Sequence, residues 1–316
     1  TSGGTESNDH ALRGIAESCR EKGNHTITTA IEHHAIIEPC LYLMKQGFEI
    51  SFLKVDRYGV VDLDQLAREI RPETILISVM AANNETGTVQ PVEEISRLAR
   101  SRNILFHTDA VQLVGKLPVD VGTWPVDLLS LSAHKFHGPK GTGALFIRRG
   151  VEIDPMMLGG GQEENRRGGT ENVAGIVGLG KACELASRSL EDFRGRIGRL
   201  RDRLEETLLS EIPGAEVNGG RNNRMPHVLN ISFEGVHGEA LLVALDFAGI
   251  AVSTGAACHS GAVSPSHVLT AMSLPDDRLS SAIRLSLGRF NTAEEIDYAC
   301  EVIPRTVQRA REASSL

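Results

Sequence analysis

The sequence predicts an α/β protein, a large mostly parallel-sheet domain followed by a smaller α+β C-terminal domain. Three observations carry this. Amphipathic helical segments alternate with short apolar, β-rich runs through the first two-thirds of the chain. The links between them are short, and several contain glycine. Past a long charged helical stretch, the Pro213-Gly214 break ends that rhythm and a different mixture begins.

Each element follows from its own pattern. ALRGIAESCREKG (11–23) is amphipathic and ends at a glycine, before the β-rich HTITTAIEH (25–33). EPCLYLMKQG (38–47) repeats the helix-then-glycine form and leads to FEISFLKV (48–55). DLDQLAREI (62–70) precedes the apolar strand TILISVM (74–80), and VEEISRLARSR (92–102) precedes ILFHTDA (104–110). DLLSLSA (127–133) and GALFIR (143–148) complete the strand set. Beyond the charged helix 191–212 come the strands VLNISF (228–233), IAVSTG (250–255) and AIRLSLGRF (282–290). The helix 238–249 lies among them, and a last helix starts at Thr292. The predicted division is 1–190 and 191–316.

Composition narrows the function. The 316 residues are 41% hydrophobic and 23% charged, an ordinary globular balance. A net charge of -8 argues against nucleic acid or an anionic membrane as a direct partner. No apolar run approaches the ~18–20 residues of a membrane span, and no signal peptide is visible in a chain that opens at Thr1. Five scattered cysteines, without CxxC spacing, argue against a disulfide framework or a zinc site and favour the reducing cytoplasm. Cys19, Cys40, Cys183 and Cys300 fall in helical patterns and read as packed or inert.

Polar groups gather just after the strands: Asn83-Asn84-Glu85, Asp109, and Ser132 to Lys135. In open α/β sheets, ligands bind at the carboxyl ends of the strands, so these groups are expected around one crevice. Lys135, in SLSAHKFHGPKG, is unusual there. A lysine in a partly dry site can bond covalently to an aldehyde, while Ser132 and His134 donate to a phosphate. Taken alone, the segment reads instead as a strand-end charge in a polar turn. Asp109, in HTDAVQ, supplies a carboxylate that a protonated pyridine nitrogen would satisfy, the arrangement pyridoxal phosphate (PLP) needs. It also reads as a helix cap. GGTESN (3–8) offers backbone N–H groups and the Thr5 hydroxyl to an anion, or is an ordinary loop.

Eight segments, in order, carry a resemblance: TSGGTESN, IEHHA, AANNETG, HTDAVQLVGK, SLSAHKFHGPKGTGALF, GGGQEENRRGGTEN, STGAACHSG and RLSLGRF. The chain resembles the PLP-dependent cysteine desulfurases, fold-type I enzymes with a large cofactor domain and a smaller C-terminal one. The resemblance implies that Lys135 holds PLP and moves protons, that Asp109 pairs with the ring nitrogen, and that Gln112 binds the ring oxygen. His33 would stack on the ring and assist proton transfer, with His34 at the surface. Gly4, Thr5, Ser132 and His134 would hold the phosphate, and Thr170 would reach the partner subunit's phosphate in a homodimer. Asn84 would lie beside the cofactor and substrate, and Arg284 would pair with the substrate carboxylate. Cys258 would be the nucleophile that takes sulfur from L-cysteine as a persulfide, leaving alanine. An acceptor protein would then receive it, an iron–sulfur scaffold or a sulfur relay.

Two other readings stand beside this one. GAACHS and GGGQE are also similar to motifs of selenocysteine lyases, which share the fold. Relatives carry a segment ahead of TSGGTESN that this chain is expected to lack. On that ground a non-catalytic scaffold is the reading from another class.

Overall fold

The computed structural model describes residues 1–254 and 265–314. The chain forms two compact units. The larger comprises Thr1–Val55, Val60–Asn83 and Val89–Leu190; the smaller comprises Asp56–Gly59, Asn84–Thr88 and Glu191–Leu316.

In the large unit, α1 (Gly4–Ser18), β1 (His25–Thr29), α2 (His34–Lys45), β2 (Glu49–Leu53), α3 (Leu63–Glu69), β3 (Thr74–Ser78), α4 (Val92–Ser101) and β4 (Leu105–Asp109) alternate as the periodicity predicts. Then come β5 (Leu128–Ser132), β6 (Gly143–Ile147) and α5 (Val173–Arg188). The six strands lie in the order β2-β1-β3-β4-β5-β6. All neighbours pair in parallel except β5 and β6, which are antiparallel. The predicted mostly parallel sheet is borne out. β1 and β3 are buried along their whole length, the mark of central strands covered on both faces. Ala11, Leu12 and Ile15 of α1 pack with Ile36 and Leu43 of α2 and with Leu76 and Leu128 of the sheet. Burying such side chains contributes about 1.5–3 kcal/mol each.

The small unit holds a three-stranded antiparallel sheet of β7 (Ala215–Val217), β8 (Val228–Phe233) and β9 (Ile283–Ser286). A helical stretch of α6 (Leu190–Asp192), a π-helical turn Phe193–Ile197 and α7 (Gly198–Glu211) precedes it. The unit also contains α8 (Gly238–Phe247), α9 (His267–Ala271), α10 (Asp276–Ser281) and α11 (Ala293–Ser314). Leu204, Leu208, Ile231, Phe233, Leu241 and Ile303 anchor its core.

Several elements depart from the sequence reading. α1 begins at Gly4, seven residues before the periodic stretch, so Thr5 lies in its first turn. α5 went unpredicted as an element because Val173, Ile176 and Val177 are exposed, which blurs the amphipathic period. Cys183 on that helix is exposed rather than packed, whereas Cys19 and Cys40 are buried as expected. The run 250–254 is not a strand. Only Ser253 pairs, with Arg284, because the chain touches β9 at a single point.

Candidate active site

Asp109 is the last residue of β4 and only 6% exposed. Its Oδ2 accepts from Asn8 Nδ2 at 2.6 Å, and its Oδ1 accepts from the Val111 N–H at 2.9 Å. Burial raises its pKa; the two hydrogen bonds and the charges of His33 and Lys135 act against that rise. Fixed donors on both oxygens favour a carboxylate, and a carboxylate so deeply placed favours a cation beside it.

One strand over, β5 ends at Ser132 and the chain enters a 3-10 turn, Ala133–Phe136. Phe136 is buried against Ala182 and Ala186 of α5. The Gly138 N–H closes the turn on the Ala133 carbonyl at 2.8 Å. A Cβ on Gly138 would lie 2.8 Å from the Ala133 Cβ, so only glycine lets the turn fold back this tightly. Between these anchors His134 and Lys135 are exposed. The turn carries Lys135 out of the sheet. Ser132 Oγ and His134 Nδ1 share a 2.8 Å hydrogen bond. The pKa of His134 is lowered, by desolvation first and then by Lys135, Lys140 and Lys116.

The N-terminus of α1 lies against the same strand end. Its N-cap, Gly3, supplies no side-chain cap, so the first-turn N–H groups face outward as an anion site would need. A Cβ on Gly4 would come within 2.7 Å of Val111 Cγ2 and 3.5 Å of Ser132 Cβ. Thr5 is exposed and shares a cleft of 680 Å³ with His33. His33 caps α2 by accepting from the Ala35 N–H at Nδ1, which leaves the neutral ring's proton on Nε2. His34 lies 3.8 Å from Glu38 at the surface. Gln112 is half-buried, its carbonyl accepting from Lys116 Nζ at 3.0 Å. Thr170 stands apart, lining a separate cleft of 510 Å³ with Arg166, Arg167 and residues of β6.

Beneath these groups the sheet is laced by polar contacts. His107 donates and accepts between Ser78 Oγ and Ser130 Oγ, 2.9 Å each, across three strands. Burial pushes its pKa down to about 3, so the ring is neutral. Glu32 accepts from Thr29 Oγ1 at 2.7 Å and from the Met80 N–H at 2.9 Å. Burial pushes its carboxyl up to about 8.

The small unit brings Asn84 and Arg284 together. Arg284 Nη1 donates to the Asn84 carbonyl at 2.9 Å. Its Nε is buried without a hydrogen-bond partner among the described residues, an orphan donor that an arriving carboxylate would satisfy. Cys258 lies outside the described residues.

These groups fit PLP. The fit rests on the buried Asp109 carboxylate for a pyridinium, on the uncapped α1 terminus with Ser132 and His134 for a phosphate, and on the glycine cradle at Gly4 for close backbone approach. A scan against family models matches residues 1–299 to the class-V aminotransferases. The chain belongs to the class-V aminotransferase family. Among curated class-V relatives, cysteine desulfurase IscS of Methanosarcina thermophila is 53% identical over 316 residues, all of this chain and 78% of that protein. Cysteine desulfurase IscS of Dictyoglomus turgidum is 50% identical, over 99% of this chain and 80% of that one. Among solved structures, a NifS-like protein superposes with a TM-score of 0.91 at 40% identity, covering 98% of this chain and 82% of the other. The resemblance read from the eight motifs is borne out.

Sequence reasoning missed Asn8, the residue that holds Asp109. A signal was present: Asn8 shares the buried stripe of α1 with Ala11, Leu12 and Ile15, and a polar residue in an apolar stripe needs a buried partner. Phe136, which anchors the lysine turn, was equally legible as the one large apolar residue in SAHKFHGPKG.

Proposed function

We infer that this chain is a PLP-dependent cysteine desulfurase, which converts L-cysteine to L-alanine and passes the sulfur on. The carrying observation is the 53% identity to a cysteine desulfurase over the whole chain, in a protein whose strand ends present a PLP-fitting set. In this reading the large unit binds the cofactor and the small unit serves the substrate. The α1 terminus, Gly4, Thr5, Ser132 and His134 bind the phosphate, Asp109 keeps the ring nitrogen protonated, and Gln112 meets the ring oxygen. When bound, PLP supplies an electron sink for the negative charge left at the substrate's Cα.

Lys135, on its turn after β5, would hold the cofactor aldehyde and would take the Cα proton of the substrate. His33, whose Nδ1 is taken by the Ala35 N–H, would stack on the ring and move a proton through Nε2. Arg284 holds the substrate carboxylate, with Asn84 beside it. The Cys258 thiolate attacks the substrate sulfur. As the new S–S bond forms, the Cβ–S bond breaks, its electron pair stays on carbon, and protonation there yields alanine. The persulfide then goes to an acceptor protein, an iron–sulfur scaffold or a sulfur relay.

We further propose a homodimer, in which Thr170 serves the partner subunit's phosphate. Exposed Leu158, Val173 and Val177, close to Thr170 in the chain and 65–84% accessible, support that reading. The described cysteines are free thiols, which supports a cytoplasmic location. Among the described residues, no helix is long and apolar enough to cross a membrane.

Mass spectrometry after a single turnover with L-cysteine tests the assignment. One extra sulfur on Cys258 and one alanine per cysteine are expected. Alanine formation at the wild-type rate by Cys258→Ala would overturn the persulfide step.

A further inference from the structure

Glu6 puts a carboxylate where the reading above puts a phosphate. It lies in the first turn of α1, next to Thr5, and lines the cleft that Thr5 shares with His33. Its Oε2 accepts from the Ser2 N–H at 2.9 Å, one residue ahead of the Gly3 N-cap, so the carboxylate is folded back over the helix terminus. An acidic first-turn residue ordinarily stabilises a helix, because the N-terminal N–H groups carry partial positive charge. A dianionic phosphate seeks the same N–H groups, and two like charges within one turn of helix repel.

Arg167 meets that conflict. Its Nε donates to Glu6 Oε1 at 2.9 Å and its Nη2 to Glu6 Oε2 at 3.3 Å, a two-pronged pair across 161 residues. Its Nη1 donates to the Gly168 carbonyl at 3.1 Å, which fixes the guanidinium on its own segment. The Glu6 side chain is 10% exposed and that of Arg167 26%, so the pair is screened less than one at the open surface. Burial on its own would raise the Glu6 carboxyl; the hydrogen bonds from Arg167 and Ser2 outweigh it and hold the pKa down at about 2. Glu6 is therefore charged at neutral pH. The other two carboxylates lining the cleft have partners of their own: Arg13 lies 3.1 Å from Asp9, and His34 lies 3.8 Å from Glu38.

We propose that Arg167 is a positioning residue for the cofactor phosphate: by neutralising Glu6 beside the α1 terminus, it lets that terminus take a dianion. It acts through Glu6 and touches neither the cofactor nor the reacting atoms. This rests on the PLP reading of the α1 terminus.

Pyridoxal is the control ligand, because it has the ring and aldehyde of PLP and lacks the phosphate. In equilibrium dialysis of the chain freed of cofactor, Arg167→Ala should bind PLP about 10-fold more weakly than the wild type, with pyridoxal affinity changed less than about twofold. Arg167→Lys keeps the charge and should stay within about threefold of the wild type for PLP. Glu6→Gln removes the charge that needs neutralising, so the double variant Glu6→Gln/Arg167→Ala should regain wild-type PLP affinity. Unchanged PLP binding in Arg167→Ala would overturn the proposal. Equal losses for PLP and pyridoxal, an Arg167→Lys as weak as Arg167→Ala, or a double variant without recovery would also overturn it, since each makes the pair a structural tether alone. The PLP reading fails separately, if the wild type binds PLP no more tightly than pyridoxal.

Discussion

Asp109 in the large unit and Arg284 in the small unit are held in opposite ways. Asp109 closes β4, and both of its oxygens take hydrogen bonds from fixed donors. Arg284 sits within β9, spends one nitrogen on the Asn84 carbonyl and keeps a buried Nε without a partner among the described residues. The first arrangement suits a group that stays beside a resident cofactor. The second suits a group whose partner comes and goes with each turnover, since an orphan donor costs about 1–3 kcal/mol until a ligand satisfies it. Charge at a strand end can be built for permanence or for exchange, and the hydrogen-bond inventory distinguishes the two.

That contrast can be broken by substitution. The largest effect is expected for Lys135→Ala, which should lower turnover by at least about 10³-fold and abolish the visible cofactor band. Absorbance spectra and alanine assays check it. Arg284→Ala should raise KM for cysteine by about 10²-fold while leaving the cofactor spectrum unchanged; a lost spectrum would erase the distinction between the two units. Asn8→Ala should do the reverse. It strips one donor from Asp109, at about 1–3 kcal/mol, and should weaken PLP binding roughly tenfold with KM for cysteine unchanged. Equilibrium dialysis of the cofactor reads that directly.

The smallest effect concerns stability and pH. Glu32 has an ordinary carboxyl value of 4.5 and a folded value of about 8, so between these the folded state keeps a proton that the unfolded chain releases. Its contribution is therefore complete below the lower value and is lost as pH rises toward the upper one, at up to about 1.4 kcal/mol per pH unit. Glu85, raised to about 7, adds with the same sign. Urea unfolding of Glu32→Gln between pH 6 and 7 should give a flatter stability profile than the wild type. Equal slopes would place the proton elsewhere.

Much of the fold was legible because its elements bury regular stripes. β3 presents an apolar run and folds where that run puts it, and the apolar stripe of α1 is helical as its spacing predicts, although the helix starts earlier. α5 was not legible as an element, since a face carrying exposed Val173 and Val177 has no polar side to set its period. In the site, Asp109, Ser132 and Lys135 stood out because polar residues ending apolar strands are conspicuous. Asn8 and Arg167 did not, although both lie within quoted motifs, because their importance comes from partners far away in the chain.

By itself, the sequence determined the alternation of helix and strand, the tight turn at Gly138, and the residue types delivered to the strand ends. These depend on backbone sterics and on periodic burial, both local properties. Only the tertiary structure decided which polar groups meet. Asn8 reaches Asp109 across 101 residues, and Arg284 reaches Asn84 across 200. It also decided that Lys135 leaves the sheet on a turn pinned by Phe136. A hydrogen bond requires its atoms to lie within about 3 Å at a favourable angle, and spacing along the chain says nothing about that distance.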